Sequence, residues 1–151
     1  MNLQANAPIG IFDSGAGGLT VAAAVKNLLP DEQIIYFGDT AHLPYGDKSP
    51  ETVREYSVRI TDFLLEKGCK IILIACNTAS AAAYEAVKIH VNNKVSVINV
   101  IDPATELVSA NPKLKKIGII GTKGTIESEM YPLKIKALSP DKQVISLSIA
   151  H

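Results

Sequence analysis

Short apolar runs alternate with segments of helical periodicity along most of the chain. The apolar runs occupy residues 9–12, 33–37, 70–75, 95–100, 116–121 and 143–149. The helical segments between them occupy residues 19–29, 49–67, 79–91, 102–111 and 126–138. Continuous apolar runs of this length are typical of strands that are buried on both faces. The pattern therefore predicts an α/β fold, in which a parallel sheet is flanked by helices on both faces.

The run at residues 70–75 ends at a cysteine, and the polarity of the chain changes there. Cys76 is followed by Asn77 and Thr78, which are residue types that favour helix starts. The thiol is therefore predicted to lie where a buried strand ends and a helix begins. Ligands bind at this edge of parallel sheets. A helix N-terminus also attracts carboxylates, and we expect it to lower the pKa of the Cys76 thiol.

Polar residues also follow the first two predicted strands. Asp13 and Ser14 precede a glycine-rich loop at residues 15–18, and Asp39 begins a long loop at residues 38–48. Parallel strands would bring these ends to the same edge as Cys76. Such an edge suits a small polar anion. Cys76 is then a candidate nucleophile or proton-transfer base, with Asp13 as its candidate partner.

Purely structural roles are open for several of these residues. Asp13 could serve merely as a cap for the glycine-rich loop, and Asp39 could serve merely to hold the long loop together. Tyr45 could be a packing residue. Thr122 and Thr125 could simply cap the helix that follows them.

Two other functional classes, a dinucleotide-binding protein and a thiol hydrolase, fit the residues less well. Gly15 and Gly17 after a strand, with Asp39 after the next one, imitate a dinucleotide-binding fingerprint. However, Thr20 occupies the third glycine position, and the Asp13 carboxylate would repel a pyrophosphate. A thiol hydrolase would need a histidine near Cys76, and the only candidates are His42 in the long loop and His151.

The composition of the chain argues against several functional classes. The 151 residues are 47% hydrophobic and 20% charged, with 15 basic and 15 acidic residues. The absence of a basic run argues against nucleic acid as a partner. No apolar run reaches the length of a membrane span, and residues 1–7 lack a signal-peptide pattern, so a cytoplasmic protein is expected. The three histidines and two cysteines show no metal-ligand spacing, so no metal is expected.

The two cysteines are too far apart to form a disulfide if a strand joins them. Seven residues of strand separate Cys69 from Cys76 by roughly 23 Å, at about 3.3 Å per residue. A disulfide requires Cα atoms within about 7 Å of each other. Cys69 is therefore interpreted as a small buried apolar residue.

Three motifs make the chain resemble the glutamate racemases of the aspartate/glutamate racemase family. They are Phe12-Asp13-Ser14-Gly15-Ala16-Gly17-Gly18-Leu19-Thr20, Tyr36-Phe37-Gly38-Asp39-Thr40-Ala41-His42-Leu43-Pro44-Tyr45-Gly46 and Ala75-Cys76-Asn77-Thr78-Ala79-Ser80. The resemblance implies a cofactor-independent isomerase that interconverts L- and D-glutamate and supplies D-glutamate for peptidoglycan. It also implies two lobes of similar fold and a possible homodimer.

The resemblance assigns roles to individual residues. In the family, two cysteines act on opposite faces of the glutamate Cα, one removing the proton and the other returning one. Cys76 matches the first of these cysteines, and Asp13 matches the acid beside it. The residues that match substrate contacts are Asp13, Ser14, Pro44, Tyr45, Gly46, Asn77, Thr78 and Thr122.

The chain departs from the family in its length and in its second cysteine. The family's second cysteine lies in a later Cys-Thr-His motif, which this sequence does not contain, and Cys69 lies at the wrong end of its strand to replace it. We therefore expect the N-terminal part of a racemase that does not racemise glutamate alone. Residues 1–101 would begin the first lobe and residues 102–151 the second. The alternative is a non-catalytic carboxylate-binding or interaction module on the same fold.

Overall fold

The computed structural model describes residues 5–149, so His151 lies outside the described residues. Its strands are β1 (Ile9–Asp13), β2 (Ile34–Gly38), β3 (Ile71–Ile74), β4 (Ser96–Asn99), β5 (Lys116–Gly121) and β6 (Gln143–Ser148). Its helices are α1 (Leu19–Leu28), α2 (Pro50–Glu66), α3 (Asn77–Val91), α4 (Ile101–Ala110), α5 (Lys123–Glu127) and α6 (Met130–Leu138). Two short 3₁₀ turns, Thr40–His42 and Tyr45–Asp47, lie in the long loop after β2. None of the helices in this part of the chain is long and apolar enough to cross a bilayer.

The predicted α/β architecture is confirmed, but the strands are divided between two sheets. The first sheet has the strand order β2-β1-β3-β4, and the second contains β5 and β6. Every strand pair is parallel. The carboxyl ends of β1, β2 and β3 therefore meet at one edge of the first sheet, as the sequence predicts.

Strand β3 is the central element of the first sheet and is covered on both faces. Ile72 and Ile74 are fully buried in a core cluster with residues of α2 and α3. Ile71 and Leu73 point the other way and pack against the cluster that contains Ala22 of α1. This arrangement explains why the strand is apolar at every position rather than at alternate positions.

The second sheet has one apolar face that no described element covers. Ile120 and Ile145 are each 68% exposed and Leu147 is 60% exposed. The register pairs Ile120 with Leu147, so these side chains share a face. Parallel sheets ordinarily carry helices on both faces. Within residues 5–149, this sheet therefore lacks one of its two covering layers.

The predicted single helix at residues 126–138 is wrong, because the structure has two helices there. Helix α5 begins earlier, at Lys123, and the chain breaks before α6 at Glu129, which has a left-handed φ of 54°. The Ser128 hydroxyl donates to the Thr125 carbonyl at 2.6 Å and accepts the Met130 N–H at 3.3 Å. Serine side chains that bond to nearby backbone groups compete with helix hydrogen bonds in this way.

Candidate functional site at the edge of the first sheet

The Cys76 thiol lies between the end of β3 and the first turn of α3. Cys76 is the N-cap of α3, and its Sγ accepts the Ala79 N–H at 3.4 Å. The same thiol donates to the Ser14 hydroxyl at 3.7 Å, which joins it to the loop after β1. The predicted junction of strand, thiol and helix is therefore confirmed. The side chain has little contact with solvent, because the residue is only 6% exposed.

The expectation of a lowered pKa at Cys76 is wrong. Burial raises the pKa of this thiol, because a thiolate would lose its hydration there. Hydrogen bonds from the Ala79 N–H and from Ser14 act in the opposite direction but do not offset burial, and the Asp13 charge adds to the rise in pKa. The thiol is therefore protonated at neutral pH, and it needs a change in its surroundings before it can act as a base.

The buried cysteines are expected to lower the stability of the folded chain at alkaline pH. Burial raises the pKa of Cys69 and of Cys76, so the unfolded chain loses thiol protons at a lower pH than the folded chain. The contribution of the protonated thiols to the free energy of unfolding is fully present below the unfolded thiol pKa of about 8.5. It is lost as the pH rises through the pKa values of the thiols in the folded chain. Urea unfolding between pH 7 and pH 10 measures this fall in the free energy of unfolding.

The matched control for this alkaline effect is the double variant Cys69→Ala, Cys76→Ala. It retains the buried tyrosines, which also lose stability at high pH, and removes only the thiols. Its free energy of unfolding should fall less steeply with pH than that of the unchanged chain. Equal slopes would contradict a contribution from the thiols.

Asp13 is fixed beside the thiol by the glycine-rich loop. Its Oδ2 accepts the Gly15 N–H at 3.1 Å and the Gly18 N–H at 2.9 Å. The residue is 7% exposed. The loop-capping role that the sequence left open is therefore present, and it orients the carboxylate at the same time.

Tyr36 is a component of this edge that the sequence reasoning did not single out. Its hydroxyl donates to the Gly15 carbonyl at 2.7 Å, so β2 supports the glycine-rich loop. Burial raises the Tyr36 pKa to about 12, and the charges of Asp13 and Cys76 contribute to the rise. The sequence does offer a signal for this residue, because Tyr36 lies two residues before the end of β2 and the carboxyl end of β2 is predicted to lie at this edge.

The long loop after β2 is held together by Asp39. Its Oδ2 accepts the Tyr45 hydroxyl at 2.6 Å, and its Oδ1 pairs with the His42 Nδ1 at 2.7 Å. Tyr45 is 1% exposed, and burial and the Asp39 contact raise its pKa well above the ordinary range. The Tyr45 hydroxyl is thus committed to the loop. The Leu43–Pro44 peptide bond in this loop is cis, and Pro44 is exposed.

The histidines that the structure describes are engaged away from the thiol. The His42 ring pairs with Asp39 and lies 4.2 Å from the Tyr56 ring. His90 pairs with Asp62 on the protein surface, at 2.6 Å. Neither ring contacts Cys76, so residues 5–149 provide no cysteine–histidine pair for a thiol hydrolase.

Replacing Asp39 with asparagine is expected to lower the free energy of unfolding by about 2 kcal/mol. The variant loses a charged acceptor that serves a buried tyrosine, and hydrogen bonds to charged groups contribute about 1.5–3 kcal/mol. The matched control is Asp62→Asn, which breaks a surface pair with His90. Exposed pairs contribute roughly 0–1 kcal/mol. Urea unfolding of both variants should show the larger loss for Asp39→Asn, and equal losses would contradict a role for burial.

Three threonine hydroxyls join the first turn of α3 to α5. Thr78 Oγ1 lies 2.9 Å from Thr122 Oγ1 and 3.2 Å from Thr125 Oγ1, and the last two are 3.1 Å apart. Thr122 is also the N-cap of α5, so the capping role left open for it is present. Gly46 packs against this cluster so closely that an added Cβ would lie 2.6 Å from the Thr122 Cβ.

Most of the sequence-predicted site residues therefore lie in connected positions. Ser14 contacts Cys76, and Asn77 and Thr78 follow Cys76 in the first turn of α3. Thr122 reaches the same turn through its contact with Thr78, and Gly46 packs against Thr122. The arrangement places hydroxyl and amide groups around a thiol, which suits recognition of carboxylates and proton transfer.

Comparison with known proteins decides the family. A family model described as Asp/Glu/hydantoin racemase matches residues 19–147, which is most of the chain. The chain belongs to the Asp/Glu/hydantoin racemase family. The matched range includes the thiol-bearing β3–α3 junction and the threonine cluster of this family member.

Relatives in the racemase family are about twice as long as this chain. A glutamate racemase of Geobacter metallireducens is 47% identical over 138 residues, which are 91% of this chain and 50% of that protein. A glutamate racemase of Streptococcus suis is 46% identical and matches 95% of this chain and 53% of its own length. The chain thus spans about half the length of the curated relatives it matches.

Solved structures show the same fold. The glutamate racemase of Francisella tularensis, in complex with D-glutamate, matches with a TM-score of 0.88 at 42% identity, over 95% of this chain and 53% of that one. A glutamate racemase of Bacillus anthracis matches with a TM-score of 0.90 at 39% identity, over 96% of this chain and 54% of that one. The expected racemase-family fold is therefore confirmed.

Proposed function

We propose that this chain is the N-terminal part of a glutamate racemase and that Cys76 is the proton-transfer base for one face of glutamate. The observation that carries the proposal is the position of the thiol, which lies between Ser14 and the first turn of α3 in a member of the racemase family. The relatives named glutamate racemase, and the solved relative with D-glutamate, support glutamate as the substrate. A role in peptidoglycan precursor supply is part of the same proposal.

In the proposed reaction, the Cys76 thiolate removes the α-proton of glutamate. The Cα–H bond breaks, its electron pair remains on Cα, and the proton moves to Sγ. Because burial raises the thiol pKa, the thiol must first release its proton to solvent water as substrate enters and rearranges the hydrogen bonds of the site. The substrate carboxylates are bound by hydroxyl, amide and backbone donors. The residues proposed to contact glutamate as a whole are Asp13, Ser14, Pro44, Tyr45, Gly46, Asn77, Thr78 and Thr122. Among them, the Asp13 carboxylate suits the substrate ammonium group rather than a carboxylate, and it also assists the proton transfer. Tyr45 would contact glutamate through atoms other than its hydroxyl, which is bonded to Asp39.

A single thiol can serve only one face of Cα, and this sequence offers no second one at the site. Cys69 lies before β3, at the opposite end from Cys76, and is 1% exposed. We propose that residues 1–101 and residues 102–151 begin two lobes and that the second thiol belongs to polypeptide beyond this sequence. Thr122 then reaches the site from the second lobe.

Proton exchange in heavy water tests the proposed function. The purified chain is incubated with D-glutamate and, separately, with L-glutamate, while NMR follows the α-proton and polarimetry follows chirality. One enantiomer should lose its α-proton signal without losing chirality, because one base removes and returns a proton on the same face. Racemisation would contradict the single-thiol proposal. Absence of both exchange and glutamate binding in a chain with a folded NMR spectrum would contradict the function itself.

A further inference from the structure

The first residue of α3 is held by a tyrosine from another part of the fold. The Tyr131 hydroxyl donates to the Asn77 Oδ1 at 2.6 Å. Tyr131 lies in the first turn of α6, 54 residues away in sequence, whereas Asn77 directly follows Cys76. The bond therefore connects the start of α6 to the thiol-bearing end of β3.

The break between α5 and α6 determines where Tyr131 lies. The left-handed Glu129 and the Ser128 hydrogen bonds end α5 and restart the chain as α6. The segment that contains Thr122 and α5 supplies the threonine contacts to Thr78. Helix α6, which follows directly, supplies the tyrosine contact to Asn77. Two successive residues of the first turn of α3 are thus fixed from the same side of the molecule.

The direction of the Tyr131 bond distinguishes the two ends of the Asn77 amide. An asparagine side chain has an acceptor end, Oδ1, and a donor end, Nδ2 with two N–H groups. The tyrosine hydroxyl occupies the acceptor end. An ionised carboxylate only accepts hydrogen bonds, so it would be repelled by Oδ1 and bound by Nδ2.

We propose that Tyr131 is a positioning residue, which fixes the Asn77 amide so that Nδ2 faces a carboxylate of bound glutamate. The proposal rests on the proposed function, since it takes Asn77 as a substrate contact. Without the tyrosine hydroxyl, rotation of the amide by half a turn would place Oδ1 against the carboxylate. Tyr131 therefore acts on the substrate through Asn77.

The surroundings of Tyr131 suit this role. Burial raises its pKa, so the hydroxyl remains a hydrogen-bond donor at neutral and moderately alkaline pH. Tyr131 and Asn77 both line a cavity of about 460 Å³, which is also bordered by Ile117 and Ile119 of β5 and by Thr122. Tyr131→Phe removes the hydroxyl and retains the ring, so the apolar contacts that the ring makes are kept.

The side-chain NH₂ signals of Asn77 in a ¹H–¹⁵N spectrum provide the test, together with titration by D- and L-glutamate. In Tyr131→Phe, the two Asn77 amide protons should shift and exchange faster with solvent. Affinity for the bound enantiomer should fall about 5- to 10-fold, in keeping with the loss of one hydrogen bond. The control is Tyr84→Phe, whose ring lies under Lys88 and whose position on α3 is about two helical turns beyond Asn77. This variant should change neither the affinity nor the Asn77 signals.

A double variant separates positioning from general destabilisation. If Tyr131 acts through Asn77, then Tyr131→Phe should cause no further loss of affinity in an Asn77→Ala background. An equal additional loss there would overturn the proposal, and so would unchanged Asn77 amide signals in Tyr131→Phe. If the unchanged chain binds neither enantiomer, the proposed function and the carboxylate contact both fail. The amide signals then still decide whether Tyr131 orients Asn77.

Discussion

Replacing Cys76 with alanine is expected to lower the rate of deuterium incorporation at the glutamate Cα by about 100-fold or more, the usual contribution of a positioned base. Among residues 5–149, the Cys76 thiol is the only thiol at the carboxyl edge of the first sheet, and alanine cannot accept a proton. The α-proton signal in heavy water measures the loss. Glutamate binding should persist, because the hydroxyl and amide donors around the thiol are retained.

The chain provides a matched control in its second cysteine. Cys69 and Cys76 are both free and buried, but they lie at opposite ends of β3. Cys69→Ala makes the same chemical change in a comparable environment and should leave the exchange rate unchanged. Exchange that persists in Cys76→Ala, or that falls equally in Cys69→Ala, would contradict the assignment of the base.

The elements of the first sheet could be predicted from the sequence because their signals are local. The apolar run before Cys76 identifies a strand buried on two faces, and Asn77 and Thr78 identify the start of a helix. The parallel arrangement then follows from the alternation of strands and helices. The parallel arrangement brings Asp13, Ser14 and Cys76 together, although no sequence motif spans all three residues.

The division into two sheets could not be predicted from the same patterns. Strands β4 and β5 have similar apolar runs, yet β4 pairs with β3 and β5 pairs only with β6 among the described residues. Strand pairing depends on packing between distant segments, which local periodicity does not report. The break at Glu129 does have a local signal, because Pro132 lies in the first turn of α6 and a proline inside a helical pattern ends the helix that precedes it. The prediction of one continuous helix did not take this proline into account.

The error in the Cys76 pKa has a similar origin. The helix N-terminus next to the thiol is visible in the sequence, whereas burial is the combined effect of β1, β3, α3 and the loops above them. The same limit applies to Tyr131, which lies inside a segment predicted as one continuous helix. Its contact with Asn77 depends on the break before α6 and on packing between segments that are distant in sequence.

Replacing Gly18 with alanine is expected to lower the free energy of unfolding by about 3 kcal/mol, at the upper end of the usual cost of overpacking. An added Cβ would lie 2.6 Å from the Asp13 Cβ and 3.0 Å from the Ala75 Cβ. The φ of Gly18 is −66°, which alanine adopts readily, so the expected cost is steric rather than conformational. Urea unfolding measures the change in stability.

The neighbouring Gly17 provides the control for this prediction. A Cβ added there would meet only the Asp13 Oδ2, at an ordinary contact distance of 3.6 Å. Gly17→Ala should therefore cost much less stability, and equal losses in the two variants would show that crowding at Asp13 is not the cause. The added Cβ would crowd the Asp13 Cβ itself, so Gly18→Ala should displace Asp13 from the thiol as well. Glutamate proton exchange should then fall in Gly18→Ala even under conditions where the variant is fully folded.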